Sequence, residues 1–390
     1  MRIAEIQQAL REEGLDAWLF FDHHHRDPLA YRVLKFEPTQ MVTRRWYYLV
    51  PAQGEPVGLV HKIESGVLGN LPGSRRTYAG WVQQREALTT LLDGYKTVAM
   101  QYSPNCAVPY VSNIDAGTME LVRATGVNVV TSANLIQTFE AQCTQEQYES
   151  HMAAGVKVDA IRRAAFAKVS QALSSGTRVT EIEIQQFLLD SFKAEGLFTD
   201  HGPIVGVNAH AGDPHYAPTP ENSVEIKPGD LLLIDLWAKF DRPGSIYYDI
   251  TWTGFCGPVP TDEMLNVFAA VTGARDAAIA CVKDTVAAGK TLYGYQVDDA
   301  CRNHLIEKGL AEHFFHRTGH SIGEEVHGNG ANMDNYETHD ERLVIPGACF
   351  SVEPGVYLSN FGIRSEINMF RHETSAEVTG EIQRELLRLL

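Results

Sequence analysis

The chain has 390 residues, 44% hydrophobic and 21% charged, with a formal net charge of −16. That length fits about two domains, and the composition is that of a folded chain with ample core material. The acidic balance argues against a nucleic-acid backbone as partner, which needs clustered lysine and arginine, and favours divalent cations.

Residues 3–13 carry Ile3, Ile6 and Leu10 at helical spacing, with Gly14 as the stop. This opening reads as an amphipathic helix, not a signal peptide. No apolar run approaches the roughly 20 residues of a membrane helix, so no membrane partner is expected. AWLFF (17–21) reads as a strand, as do WYYLVP, EPVGLVHKI and KTVAMQYSP. Residues 1–137 are expected to form an α/β domain without a glycine-rich phosphate loop. Within it, Asp22-His23-His24-His25-Arg26-Asp27 reads first as a polar loop after a strand. A sharper reading has that loop reach a substrate pocket, even one in a neighbouring subunit. Cys106, Cys143, Cys256, Cys281, Cys301 and Cys349 lack CxxC spacing and read as reduced thiols of a cytoplasmic protein.

A second domain is expected over 144–390. Thr144 and Gln147 form a capping-box pattern that opens a long helix ending near Gly176, with Met152, Val156, Ala160, Ile161, Ala164 and Val169 inward. Thr180 and Glu183 open another, with Phe187, Leu188 and Phe192 inward and Gly196 at its end. A long helix recurs from about Asp262 to Gly289, and a shorter one from about Val297 to Gly309. Each helix pair precedes a hairpin. The pattern predicts an α+β domain of two duplicated helix–helix–hairpin halves around a curved antiparallel sheet.

The first hairpin turns at 241–244, Asp-Arg-Pro-Gly. A turn there places Asp235 and Asp249 within one residue of facing each other. The second turns at 359–362 and brings Glu353 close to opposite Glu366. Facing side chains stand roughly 5 Å apart. Four carboxylates at that range in apolar strands are costly unless cations lie between them. Between helices and hairpin, the second half carries GHSIGEEVHGNG, with His320 and His327 seven apart. His320 could give such a cluster a nitrogen ligand. The matching stretch of the first half offers His210 and His215.

With these residues in order, the chain resembles the pita-bread metallopeptidases: methionine aminopeptidase, aminopeptidase P, prolidase and creatinase. The motifs are His215-Tyr216, Asp235 with Asp249-Ile250-Thr251, GHSIG with His327, VEPGVY at Glu353 and GIRSE at Arg364 and Glu366. The resemblance implies that Asp235 chelates one ion, Asp249 and Glu366 bridge two, and His320 and Glu353 hold the second. Mostly oxygen ligands with one imidazole suit Mn²⁺ or Co²⁺, with Zn²⁺ also compatible. Two such ions would lower the pKa of a bridging water, giving the attacking hydroxide, and polarise the scissile carbonyl. Glu353 would take the proton, His215 and His327 would bind substrate, and Arg364 would orient Glu366 or meet substrate. Trp237 and Trp252 replace a glycine and an arginine common in the family, and are expected to reshape or shield the pocket.

The first functional reading is an Xaa-Pro dipeptidase acting on a small proline peptide, with a homodimer implied by resemblance alone. Aminopeptidase P activity on longer peptides, or hydrolysis of a small non-peptide amide, stands beside it. A non-catalytic binding module is the third reading.

Overall fold

A computed structural model describes residues 2–37 and 41–390. The chain divides into two units, Met1–Glu140 and Ala141–Leu390. The first holds strands β1 (Ala17–Asp22), β2 (Trp46–Pro51), β3 (Val57–His61), β4 (Ser74–Tyr78), β5 (Thr97–Met100) and β6 (Asn128–Thr131). Helices α1 (Ile3–Glu12), α2 (Pro28–Leu34), α3 (Trp81–Leu92), α4 (Ala116–Arg123) and α5 (Ala133–Glu140) accompany them. The sheet order is β4-β3-β2-β1-β5-β6. Every residue of β1 and β2 is buried, because one sheet face packs around Trp18, Phe20 and Trp46 and the other around Leu19, Phe21 and Tyr47. Burial on both faces is why these strands read as continuous apolar runs.

The histidine loop follows β1. The Asp22 carboxylate accepts backbone N–H bonds from His25, Arg26 and Asp27 at 3.0, 2.7 and 3.0 Å. Those bonds hold His24 and His25 at φ 62° and 55°, a region most side chains avoid. The loop is a built polar turn of the first unit.

The second unit opens with α6 (Gln145–Ser175), with the reciprocal Thr144–Gln147 cap in place and Gly176 left-handed at its end. Its buried stripe differs from the expected one. His151, Ala154, Val158, Ile161, Arg162, Ala165 and Val169 face inward, whereas Val156 is 72% exposed. The inward stripe contains polar residues that an apolar count passes over. α7 (Glu181–Ala194) follows, then β7 (Leu197–Phe198), β8 (Ile204–Val207), β9 (Leu231–Phe240) and β10 (Tyr248–Phe255). The second half repeats the order with α8 (Asp262–Ala287) and α9 (Gly294–Glu307). Its strands are β11 (Ser321–Ile322), β12 (Cys349–Val352), β13 (Gly355–Tyr357), β14 (Gly362–Arg364), β15 (Ile367–Arg371) and β16 (Ala376–Val378). β17 (Leu387–Arg388) returns to pair with β10. Each half has its own core. One joins α6 and α7 to the outer faces of β9 and β10; the other joins α8 and α9 to β12, β14 and β15. α8 is long and apolar enough by length and composition to cross a membrane. Its Val267, Val271, Ala274, Ala278 and Val282 lie in the second core, and Arg275 on the same helix is fully buried.

The registers of the two hairpins position the acids. β9 and β10 pair Asp235 with Thr251 and Trp237 with Asp249. The aspartates therefore sit two residues apart on the diagonal, not within one residue of facing. The connection is also longer than a four-residue turn. Ile246 N–H bonds to Ser150 Oγ and Tyr247 N–H to Gly323 C=O, so the chain after the turn is drawn away from β9. An offset of two returns both carboxylates to one face, where an offset of one would split them. In the second hairpin, Val352 faces Ile367 and Gly355 faces Arg364, one register that sets Glu353 across from Glu366. Its turn is 358–361, one residue earlier than expected. The two ribbons are laced together. Glu366 N–H donates to Thr251 C=O at 3.1 Å, and the Asn368 amide bonds both backbone groups of Asp249.

Candidate metal centre

This lacing gathers the charged groups. Asp249, His320 and Glu366 offer ligand atoms that all lie within 4.8 Å of one another, and all three residues are buried. His320 Nε2 stands 3.5 Å from Asp249 Oδ2 and 3.4 Å from Glu353 Oε1. Asp235 joins from β9, ion-paired through Oδ2 with Arg364. Of the five residues that the resemblance assigned as ligands, Asp249, His320 and Glu366 gather within ligand reach, half-buried Glu353 lies against His320, and Asp235 is tied in through Arg364.

Local structure aims each of them. His320 Nδ1 faces Ser321 C=O at 3.2 Å, so the proton belongs there and the Nε2 lone pair faces the acids. Its backbone N–H donates to Ser351 Oγ at 2.9 Å, and that hydroxyl donates to Glu353 Oε1 at 3.1 Å. Gly319 makes this approach attainable, since a Cβ there would meet Ser351 C=O at 2.0 Å. Arg364 is 97% buried; its Nε donates to Thr251 Oγ1 at 3.1 Å and its Nη1 to Tyr357 Oη at 3.1 Å. Thr251 Oγ1 donates in turn to Glu366 Oε2 at 2.7 Å. His316 Nε2 lies 2.7 Å from Tyr357 Oη, extending the chain of contacts.

Thr251, Tyr357 and His316 escaped the sequence reading. Thr251 and Tyr357 stood inside the quoted motifs, and Thr251 faces Asp235 across the hairpin. The His327 ring meets His320 edge-on, centroids 4.5 Å apart, at the rim of the cluster. His215 is not brought in by any hydrogen bond, ion pair or ring contact of its side chain among the described residues. It is exposed, and its backbone N–H is held by Asp213. The two tryptophans part company. Trp237 shares the site face with Asp249, whereas Trp252 points to the opposite face, where Arg162 lies 3.5 Å from its ring centroid. The expectation that Trp252 shapes the pocket is corrected by the pleat, because neighbouring positions alternate in face.

Burial dominates the electrostatics. It raises the Asp235 carboxyl to about 7, against the pull of Arg364. Burial, then the Glu353 charge, lifts Asp249 well above the usual carboxylate range; burial and Asp249 do the same to Glu366. Burial also pushes Glu353 upward, but His320, His316 and Arg364 outweigh it and leave this carboxyl below its ordinary value. Burial lowers His320, and His327 is held down at about 4 by His320 and then by burial.

Asp235 Oδ1 and Asp249 Oδ1 are buried and have no hydrogen-bond partner among the described residues. An unpartnered buried carboxylate oxygen costs several kcal/mol when charged. Hard oxygens with one imidazole are the donor set of a divalent ion, and the residues present fit it. The profile of metallopeptidase family M24 matches residues 150–373. The chain belongs to that family. Among its M24 relatives, the probable dipeptidase PepE of Mycobacterium tuberculosis is 28% identical over 270 residues, 69% of this chain and 66% of the relative. The Xaa-Pro dipeptidase of Lactobacillus helveticus is 27% identical over 248 residues, 63% of this chain and 61% of the relative. These alignments span slightly under two thirds of each relative's length. The crystal structure of dipeptidase PepE from Mycobacterium ulcerans superposes with a TM-score of 0.69 at 23% identity, covering 100% of this chain and 97% of that one. That likeness shows a shared fold, an α/β first unit followed along the chain by a pita-bread second unit.

Proposed function

We propose that this M24 chain is a metal-dependent Xaa-Pro dipeptidase, with Asp235, Asp249, His320, Glu353 and Glu366 holding two divalent ions. The observation that carries the reading is the buried cluster itself, with an open oxygen on Asp235 and another on Asp249. Mn²⁺ or Co²⁺ suits the donor set, with Zn²⁺ also compatible. Bound there, divalent ions supply a Lewis acid for the scissile carbonyl and a water acidic enough to attack it at neutral pH.

The chain's own residues do the rest. Glu353 stays ionised beside His320 and can accept a proton at Oε1. Arg364 fixes Asp235 through Oδ2, leaving Oδ1 free. Thr251 couples that guanidinium to Glu366. His327 stands neutral at the rim, placed to donate a hydrogen bond to substrate. His215, on its exposed loop, serves as a substrate contact in this reading. The dipeptidase names of the two relatives support the choice of substrate class. A homodimer in the cytoplasm completes the reading by family likeness.

The test is a dipeptide panel on protein reconstituted with Mn²⁺ or Co²⁺. Xaa-Pro dipeptides should be cleaved well ahead of Xaa-Ala. Preference for tripeptides with proline second would move the assignment to aminopeptidase P. A chain that binds neither metal would overturn it.

A further inference from the structure

Beside β9, in the segment between β7 and β8, stands one more acid that the hydrolytic roles above leave unused, Asp200. β7 pairs with β9 so that Leu197 faces Phe240 and Phe198 faces Lys239. The pairing ends at Phe198, and Asp200 lies in the bend beyond it, joined to Trp237 by a side-chain hydrogen bond, while Trp237 faces Asp249 on its other side. Residues paired across antiparallel strands share a face. Trp237 and Asp249 therefore share the site face, and the Trp237 side chain links that face to Asp200. The Trp237 indole N–H donates to Asp200 Oδ1 at 2.8 Å and fixes the carboxylate. The segment is anchored on both sides, by Thr199 Oγ1 to His201 C=O at 2.8 Å and by Gln185 Nε2 to Pro203 C=O at 2.9 Å.

Other charged and titratable neighbours leave one side of Asp200 open. Among the described residues its Oδ2 meets only the ring of His201, at 3.1 Å, and that side chain is 80% exposed. Tyr247 is hydrogen-bonded to the Asp200 backbone, and Lys239 turns its ammonium over the Tyr247 ring at 5.1 Å. Through Trp237, which faces Asp249, Asp200 stands beside the metal cluster. A substrate cation in such a field is drawn toward the Asp200 flank.

We infer that Asp200 and Trp237 select the residue on the amino side of the scissile bond, and that the favoured side chain is lysine or arginine. This rests on the peptidase reading above. A long basic side chain has an apolar stem and a charged head. The stem can lie along the indole, which also attracts the cation, while the head reaches Oδ2 in place of the exposed His201 ring. Oδ1 stays with the indole N–H, so the carboxylate needs no reordering on binding.

The experiment compares lysyl-proline, norleucyl-proline and glutamyl-proline on the Mn²⁺-reconstituted enzyme. Norleucine keeps the stem and removes the charge. The expected kcat/KM for lysyl-proline exceeds that for norleucyl-proline about fivefold, the scale of a half-exposed ion pair. That ratio should shrink in high salt, fall to about one in Asp200→Asn, and turn toward glutamyl-proline in Asp200→Lys. A ratio of one in the unaltered enzyme, or a ratio that survives Asp200→Asn, overturns the inference. If no dipeptide is cleaved, the peptidase reading fails separately. Calorimetric binding of lysinamide against norleucinamide to the metal-loaded protein then decides this one: tighter lysinamide upholds it, equal binding overturns it.

Discussion

Arg364 and Asp235 come from different ribbons, yet the guanidinium closes on one carboxylate oxygen and leaves the other without a partner. Arg364 so divides the labour of Asp235: Oδ2 is neutralised and held, Oδ1 is kept for a cation. Thr251 Oγ1 is the hinge between this pair and Glu366, accepting from Arg364 Nε and donating to Glu366 Oε2. Thr251→Val keeps the shape and removes both bonds. Metal affinity should fall about 10- to 100-fold, the usual cost of losing a group that orients a ligand. Calorimetric titration with Mn²⁺ measures it, and an unchanged affinity would remove Thr251 from the site.

Glu366→Gln separates charge from shape. The amide oxygen can still accept from Thr251, but the negative charge is gone. Turnover should drop by at least about a hundredfold and metal binding should weaken, because a ligand loses its charge. Stability should move the other way. In metal-free protein, removing one of several buried like charges relieves repulsion, so the apo melting temperature should rise while the metal-induced shift shrinks. Thermal melts with and without Mn²⁺ read both signs together.

The metal-free protein should also lose stability as pH rises. Asp235 is raised to about 7 from 3.8, chiefly by burial, and Asp249 and Glu366 move in the same direction. Between the ordinary carboxylate range and those raised values, the folded state holds more protons than the unfolded one. Stability then falls with increasing pH. For Asp235 the window runs from about pH 4 to about pH 7. Saturating Mn²⁺ should flatten the slope, because the ion replaces the protons. Melts across that window, with chelator or with metal, check it.

His320 and His327 touch, but different losses are expected from them. His320 points Nε2 into the acids from a buried position, whereas His327 is exposed at the rim. His320→Ala should lower metal content. His327→Ala should keep the metal and lower kcat/KM by about 10²-fold, the scale of one lost transition-state donor. Metal analysis beside kinetics separates them, and metal loss in both variants would contradict the division.

What was legible in the sequence follows from how local each feature is. Thr144, Thr180, Gly176 and Gly196 bound their helices through contacts a few residues apart, so α6 and α7 could be read directly. The facing of Glu353 and Glu366 was readable because their ribbon closes through a short turn. The first hairpin's register was not, because Ile246 and Tyr247 bond to Ser150 and Gly323, and no local rule contains those partners. Thr251, Tyr357 and His316 gain their roles only once β10 lies beside β14 and β15. Asp200 is 37 residues from Trp237 and meets it only once the chain beyond β7 lies beside β9.

Trp252 and Trp237 give the last contrast. Both were expected to shape the pocket, but Trp252 is turned into the core of the first half, with Arg162 stacked on its ring. Arg162 is itself buried and tied to Asp159 and Glu381. Trp252→Leu opens space beside that guanidinium and removes its aromatic partner. The expected cost is roughly 2–3 kcal/mol of stability. Metal affinity and the ranking of dipeptides should stay as they were, since Trp252 faces away from the carboxylates. Denaturant melts and the dipeptide panel measure the two sides, and a changed ranking with unchanged stability would return Trp252 to the pocket.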